Sequence, residues 1–313
     1  MKRVRITGRT FVRFASFGFA QDRQGKRRFV TTRGRRCLRI AVVLLVVTLL
    51  AVAAHAQPAK LIPEWDASDE HNVAHVDHRA WQEILDDYLR KHDSGVNRFD
   101  YAALKANAGS IAKLDSYLTY LQSFDPRTHS RPEQKAYWIN FYNALTVKVV
   151  TDAYPVDSIK DISKSLLGKL GRIFGGPWDD VHANVAGRDL TLNNVEHGIL
   201  RPIWKDNRIH YAVNCASYGC PNLSATAFTA ENTDELLDAG ARAYVNHPRG
   251  VDFVDDDFLV VSSIYKWYVA DFGGTEKSML EHLIKYADKA LATRLRQFAG
   301  SVDYEYDWSL NRP

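Results

Sequence analysis

Apolar positions fall into three patterns along this chain, and each predicts a different kind of element. The first is a continuous run from Ile40 to Ala54, broken only by Thr48. It is too short to span a bilayer comfortably as a helix, which takes about 20 residues. The second is a stripe. Trp81, Ile84, Leu85, Tyr88 and Leu89 recur at helical spacing, as do Ile111, Leu114, Leu118 and Leu121, which predicts two helices with one face on a core. In the third, apolar residues such as Tyr137, Trp138, Phe141, Leu145 and Val150 surround nearly the whole circumference of a helix. Pro132 and Glu133 open it, and it runs to about Asp152. A helix apolar on all sides is a buried helix.

Downstream the pattern mixes strand and helix. Val181 to Leu192 predicts a β-hairpin turning at Gly187-Arg188, and Val251–Val254 with Phe258–Ser262 predicts a second around Asp255-Asp256-Asp257. Asn193 lies three residues before Glu196, a capping-box spacing for a short helix through Leu200 that Pro202 stops. Asn232 and Glu235 repeat the signal before a helix ending near His247-Pro248. Ile209 to Val213 reads as a buried strand running into the loop Asn214 to Pro221. Two more helices are predicted near Ser263–Asp271 and Thr275–Gln297, followed by an extended tail around Tyr304–Trp308. Gln57 to His78 is polar, carries Pro58 and Pro63 and has no apolar period, so it reads as a linker. These elements predict a single α+β domain over residues 79–313, with helices packed around a small, mainly antiparallel sheet.

Charge changes the meaning of the first 56 residues. Thirteen of the 41 Lys and Arg lie there against one of the 37 Asp and Glu, Asp22. A basic segment, a short apolar run and the small-x-small exit Ala54-His55-Ala56 make a secretory signal with cleavage expected after Ala56. The predicted location is therefore periplasmic or secreted, with an uncleaved inner-membrane signal anchor as the alternative. A misassigned upstream start is another source of the long basic segment. The rest of the chain keeps 28 basic against 36 acidic residues, a net charge of about −8. Such a chain lacks the Lys and Arg excess that draws proteins to phosphate backbones, so nucleic acid is not expected as a partner. Contact with a membrane is expected only through an uncleaved leader.

Four places carry candidate chemistry. Cys37 lies in the leader, leaving Cys215 and Cys220 five residues apart in the expected domain. In an oxidising compartment they are disulfide partners. The alternatives are a catalytic thiol at Cys215 activated by an imidazole, a zinc site with His210 at an unfavourable spacing, or two inert buried thiols. Strand alternation at 209–213 puts His210 and Cys215 on opposite faces, so a base for the thiol comes more easily from another segment. Glu196-His197 is either an acid/base or ligand-orienting pair or a helix cap beside an ordinary histidine. Asn140 and Asn143 share one side of the buried helix, where buried amides need partners: they knit the helix to the Cys215 loop or floor a polar pocket. Lys266, flanked by Tyr265 and Trp267, reads as a surface lysine lying along aromatics or as an anion contact. No GxGxxG, P-loop, GxSxG or HExxH segment occurs, and no cofactor or metal is predicted.

Four blocks give a resemblance: Lys135–Thr146, Val195–Arg201, His210–Cys215 through Cys220-Pro221, and Ser262–Tyr268. In this order they resemble the signature segments of the domain of unknown function 547 family, over about residues 95–275. The resemblance implies one unit whose blocks meet at a shared cleft, and no reaction. A Cys and a His beside a buried helix are also similar in type to papain-like and transglutaminase-like thiol enzymes. Those open the central helix with the Cys, whereas Cys215 follows a predicted strand. The expected function is thus an exported envelope domain that binds a small-molecule, peptide or glycan ligand in a polar cleft near Asn140, Glu196, His197 and the Cys215–Cys220 loop. The alternative is a thiol-dependent hydrolase or acyltransferase with Cys215 as nucleophile, His197 or His210 as base, and Glu196 or Asn140 orienting it.

Overall fold

The computed structural model describes residues 58–162 and 176–313. The predicted signal segment, 1–56, lies outside the described residues. The remainder is an α+β domain, as its pattern predicts.

The buried rod is helix α4, Arg131–Ala153. Pro132 in its first turn and Glu133 beside the helix N-terminus suit its start, and it stops before Tyr154-Pro155, where a residue preceding proline avoids helical dihedrals. Seventeen of its residues are buried, from Glu133 to Thr151. Helices α2 (Tyr101–Ala106) and α3 (Ala108–Gln122) pack against it and α1 (Arg79–Tyr88) packs against both, α1 and α3 with the apolar stripes the sequence shows. Trp81, Ile84, Leu85 and Tyr88 of α1 are all buried, and each such side chain contributes roughly 1.5–3 kcal/mol by leaving water.

The segment read as a linker is instead part of the domain. Trp65 is 1% exposed and meets Trp138 edge-on at 5.2 Å. The buried carboxylate of Glu133 accepts the Val76 N–H at 2.7 Å. Polarity at its other positions hides one large anchor, Trp65, from a periodicity reading.

Strands β1 (Leu89–Arg90) and β2 (Arg98–Phe99) pair antiparallel. The hairpin β3 (Val181–Val185) and β4 (Arg188–Thr191) turns at Ala186-Gly187, one residue earlier than predicted, with φ of 48° and 79°. Two positive φ values mark the turn whose twist matches a hairpin. Beyond the short helix α5 (Arg201–Trp204), a second core lies beneath α6 (Thr233–Val245) and the mixed sheet β5 (Val251–Phe253), β6 (Phe258–Ser262) and β7 (Ser301–Glu305). Strand β7 runs parallel to β6, so part of the tail expected to be merely extended completes this sheet. Short helix α7 (Ile264–Trp267) follows β6. The predicted helix 275–297 is two, α8 (Glu276–Tyr286) and α9 (Lys289–Gln297), because Asp288 caps the second by accepting from Leu291 N at 2.8 Å.

Candidate functional site

Glu196 and His197 sit in a π-helical segment, Asn194–Leu200, that runs into α5. Pro202 does not stop the helix; the carbonyls four and five residues before it, of Gly198 and His197, accept from Ile62 N and Lys60 N in place of the N–H it lacks. The capping box is absent. The Asn193 side chain donates instead to Asp179 at 2.6 Å, and the Glu196 carboxyl turns inward. In the widened turn Arg201 N reaches Glu196 O, and the His197 and Gly198 carbonyls accept from Lys60 N and Ile62 N, both at 2.9 Å. Single-turn π-helices collect at functional sites. Here Lys60 and Ile62 supply the partners that such a turn needs. Gly198 suits this docking, since a Cβ there would lie 2.5 Å from Ile62 Cδ1 and push that side chain aside.

His210 is not on a strand. Asn207–Tyr211 form a 3-10 turn capped by Asp206, which accepts from Arg208 N at 3.0 Å. The Lys135 and Arg208 side chains also hold Asp206, and although burial opposes it they keep its carboxyl well below the usual range. The chain then bends through Ala212 and Val213, which carries Cys215 into the cleft that His210 also lines. Two amides of α4 pin the backbone beyond this bend. Asn143 donates to Ala212 O and accepts from Asn214 N, both at 2.9 Å. Asn140 does the same with Phe228, donating to its carbonyl at 2.7 Å and accepting from its N–H at 3.0 Å. Asn143 therefore knits α4 to the Cys215 loop, as one reading expected. Asn140 does not line the cleft: fully buried, it clamps a backbone segment elsewhere.

Glu196, His197, His210, Cys215 and Cys220 converge. All five line one cleft of about 490 Å³. Oε1 of Glu196 lies 3.8 Å from Nδ1 of His197 and 3.8 Å from Nδ1 of His210. The Nε2–H of His210 donates to Asp271 Oδ2 at 2.7 Å, and Arg201 Nε donates to the same oxygen at 2.6 Å. Burial alone pushes the Asp271 carboxyl up, but these two donors outweigh it and hold the group well below the usual carboxylate range. The second arm of the Arg201 guanidinium donates to His197 Nδ1 at 2.9 Å, which places the His197 proton on Nε2. Burial keeps His197 less basic than a free histidine; Glu196 opposes this and Arg201 adds to it. Tyr268 stacks on His210 with ring centroids 4.3 Å apart, and Arg201 lies over the Tyr268 ring at 4.6 Å.

Aromatic rings form the rim. Trp178, Trp267, Trp308 and Tyr306 line the opening, and Trp308 meets the other three at centroid distances of 5.8, 5.5 and 4.6 Å. Sequence reasoning misses Tyr306, Trp308, Asp271 and Arg201 as site residues. The aromatic density of Tyr304-Glu305-Tyr306-Asp307-Trp308 is the available signal for the first two. Lys266 lies outside the cleft, exposed, with Nζ 5.3 Å from the Tyr304 ring, so its surface reading holds.

The expected disulfide is not formed in this structure. Both thiols are free, with the sulfurs 3.0 Å apart, against about 2.05 Å for a bond. Cys215 is half-buried. The hydrogen bond shared with Cys220 is the main cause holding its thiol down to about 7; burial opposes, and Tyr306 Oη at 3.0 Å and Ser217 assist. Burial and the neighbouring sulfur push Cys220 up. The imidazoles are engaged elsewhere, His210 on Asp271 and His197 on Arg201, and the Cys215 N–H is taken by Cys220 Sγ at 3.1 Å. Among the described residues no three of His, Cys, Asp and Glu are grouped to hold a metal ion.

The arrangement defines an α+β domain with a polar-floored, aromatic-rimmed cleft. The chain resembles the family described as "Protein of unknown function, DUF547", which is matched over residues 126–245. That stretch includes α4, the Glu196-His197 turn and both cysteines, and ends before Tyr268, Asp271, Tyr306 and Trp308. No curated protein and no solved structure matches the chain.

Proposed function

We propose that this chain is an exported envelope domain whose cleft binds a peptide or glycan ligand. The carrying observation is that a buried acid flanked by two imidazoles lies under a rim of indole and phenol rings in one cleft of about 490 Å³. The volume suits a ligand of a few residues or sugar units, since ligand sites run about 300–1,000 Å³. Flat rings supply apolar contact at little entropic cost, while Glu196 and the Nε2–H of His197 supply an acceptor and a donor that fix orientation. A buried polar group left unpaired by the wrong ligand costs about 1–3 kcal/mol, which is the physical basis of selectivity here. The basic leader and Ala54-His55-Ala56 exit support export.

Three cleft tryptophans provide the readout. Titrating the full chain with chito-oligosaccharides and with short alanine peptides, and following tryptophan emission, is expected to give a saturable change with one class. Trp308→Ala is expected to lose it, and Glu196→Gln to weaken it at least tenfold. No change with either class, or unaltered binding by Glu196→Gln, overturns the reading. Amino-terminal sequencing of the protein recovered outside the cytoplasm tests cleavage after Ala56.

A second reading, the thiol-dependent hydrolase or acyltransferase, is favoured by one observation: a half-buried thiol held down to about 7 lines the same cleft. It requires His210 or His197 to leave its present partner and approach Cys215. Turnover of a thioester or peptide ester by the wild type, abolished in Cys215→Ser and in His210→Gln, supports it over a binding role.

A further inference from the structure

Nothing in either reading uses Cys220, yet it is the sulfur nearest to Cys215. The loop between them is held rather than loose. Ala216 takes φ of 62°, a conformation L residues rarely adopt, and its N–H is bound by Asn214 Oδ1 at 2.9 Å. Tyr218 N and Gly219 N donate to Ser309 O and Asp307 O at 2.6 and 2.8 Å. A Cβ on Gly219 would lie 2.8 Å from Asp307 N, so the tail sits directly on the loop. This fixed backbone keeps two sulfurs 3.0 Å apart with different surroundings. Cys215 is half-buried and faces the cleft. Cys220 is 4% exposed, and its Sγ accepts the Cys215 N–H.

We propose that Cys215 and Cys220 form a reversible dithiol–disulfide pair that exchanges with a disulfide small enough to enter the cleft, Cys215 attacking and Cys220 resolving. The Cys215 thiolate attacks one sulfur of the incoming disulfide. The Cys215–substrate bond forms, the substrate's S–S bond breaks, and the first substrate thiolate leaves and takes a proton. Cys220 then loses its proton to solvent or to the second substrate sulfur as that leaves as a thiolate, and attacks Cys215 Sγ. The sulfurs close by about 1 Å to bonding distance, and the second substrate thiol is released. Two electrons pass from the protein's thiols to the substrate disulfide, and the two thiol protons end on the two product thiols. The surroundings suit these roles. The thiolate is the attacking form, and the pull of Cys220, Tyr306 and Ser217 favours it at Cys215. Burial keeps Cys220 protonated until Cys215 has lost its charge in the mixed disulfide.

The pair goes beyond the ligand-binding reading and stands or falls separately from it. Cys215 and Cys220 lie on one stretch with no Lys or Arg between Arg208 and Arg242, so one tryptic peptide reports both. The full chain is equilibrated in glutathione buffers of graded oxidised-to-reduced ratio, alkylated and digested. That peptide is expected to pass reversibly from two labels to none, with half-oxidation at an intermediate ratio. Cys220→Ser is expected to accumulate glutathione on Cys215, whereas Cys215→Ser, checked for native tryptophan emission, accumulates at least tenfold less. Wild-type labelling at Cys215 is expected to rise through a midpoint near pH 7. Two labels at every ratio overturn the proposal. So does a bridge that excess reduced glutathione cannot reopen without denaturant, because that is a structural staple. Binding of chito-oligosaccharide or alanine peptide by the wild type is read separately, so failure of the labelling test leaves the binding reading standing.

Discussion

Asp271 and Arg201 meet at 2.6 Å from segments seventy residues apart, and the carboxylate that Arg201 reaches is the one that holds His210. One carboxylate thus fixes the floor's geometry by orienting His210 directly and His197 through the second arm of Arg201.

Asp271→Asn removes the negative charge from the oxygen that Arg201, whose side chain is only 3% exposed, and His210 both meet. Removing one partner of a largely buried ion pair costs about 3–5 kcal/mol, and the partial exposure of Asp271 places the expected loss at the lower end. Urea unfolding at pH 7 measures it. The sign with pH follows from the lowered carboxyl. This stabilisation is fully present above the unfolded value of about 3.9 and disappears as pH falls through the lower folded value. The gap between wild type and Asp271→Asn is therefore expected to narrow in acid.

Buried imidazoles set a second limb. His78, 6% exposed and bonded to Tyr117 Oη at 2.7 Å, is pushed down to about 4, chiefly by burial, with Asp77 opposing. His197 is lowered as well. Each holds a proton less readily in the fold than unfolded, where the ring takes one below about 6.5, so stability is expected to fall as pH drops below 6.5, down to about 4 for His78. Thermal melts across that window check it. His78→Gln is expected to flatten the slope; an unchanged slope counts against burial of a neutral imidazole.

Gly198→Ala forces a Cβ against Ile62, where 2.5 Å separates them. Overpacking of this kind costs roughly 1–3 kcal/mol. Pairing it with Ile62→Ala, which opens the space, is expected to recover at least half of that loss in a double-mutant cycle. Additive losses would mean that the 57–78 segment does not press on the π-helical turn.

The two amides of α4 separate fold from site. Asn140→Ala orphans the Phe228 N–H and carbonyl, and Asn143→Ala those of Asn214 and Ala212. Both are expected to cost about 2–4 kcal/mol, since each unpaired buried group costs about 1–3. Only Asn143→Ala is expected to change the rate at which Cys215 is alkylated, because only Asn143 holds the cysteine loop.

Periodicity makes the helical part of this fold legible, because burial of α4 on all sides leaves a mark that no other element produces. The site is legible in part. Glu196, His197, His210 and Cys215 stand out as chemical residue types in otherwise apolar or tightly turned contexts, and they do share a cleft. Asn140 stands out for the same reason yet belongs elsewhere, since a buried amide that clamps backbone and one that faces a ligand look alike in a chain of letters. Ile209, Tyr211 and Val213 mimic strand alternation around His210; the decisive signal is Asp206 capping a turn, which depends on Arg208 and Lys135 closing over it. Tyr306 and Trp308 reach the cleft, and Asp271 reaches His210, only through tertiary folding; the aromatic run Tyr304–Trp308 hints at the first two, and nothing local points to Asp271.

Strand β7 and the residues after it carry a kinetic consequence. Ser217 bridges to Leu310, Asn311 N donates to Ala216 O, and Tyr101 Oη donates to Asn311 Oδ1, so the cysteine loop and α2 both wait on residues far along the chain. Such distant pairings close late, because the entropy of a long loop must be lost before they form. A chain whose segment around Leu310 and Asn311 has not yet docked is therefore expected to collapse its helical half and still present an open, unshaped cleft, which makes ligand capture a readout of that docking as well as of folding.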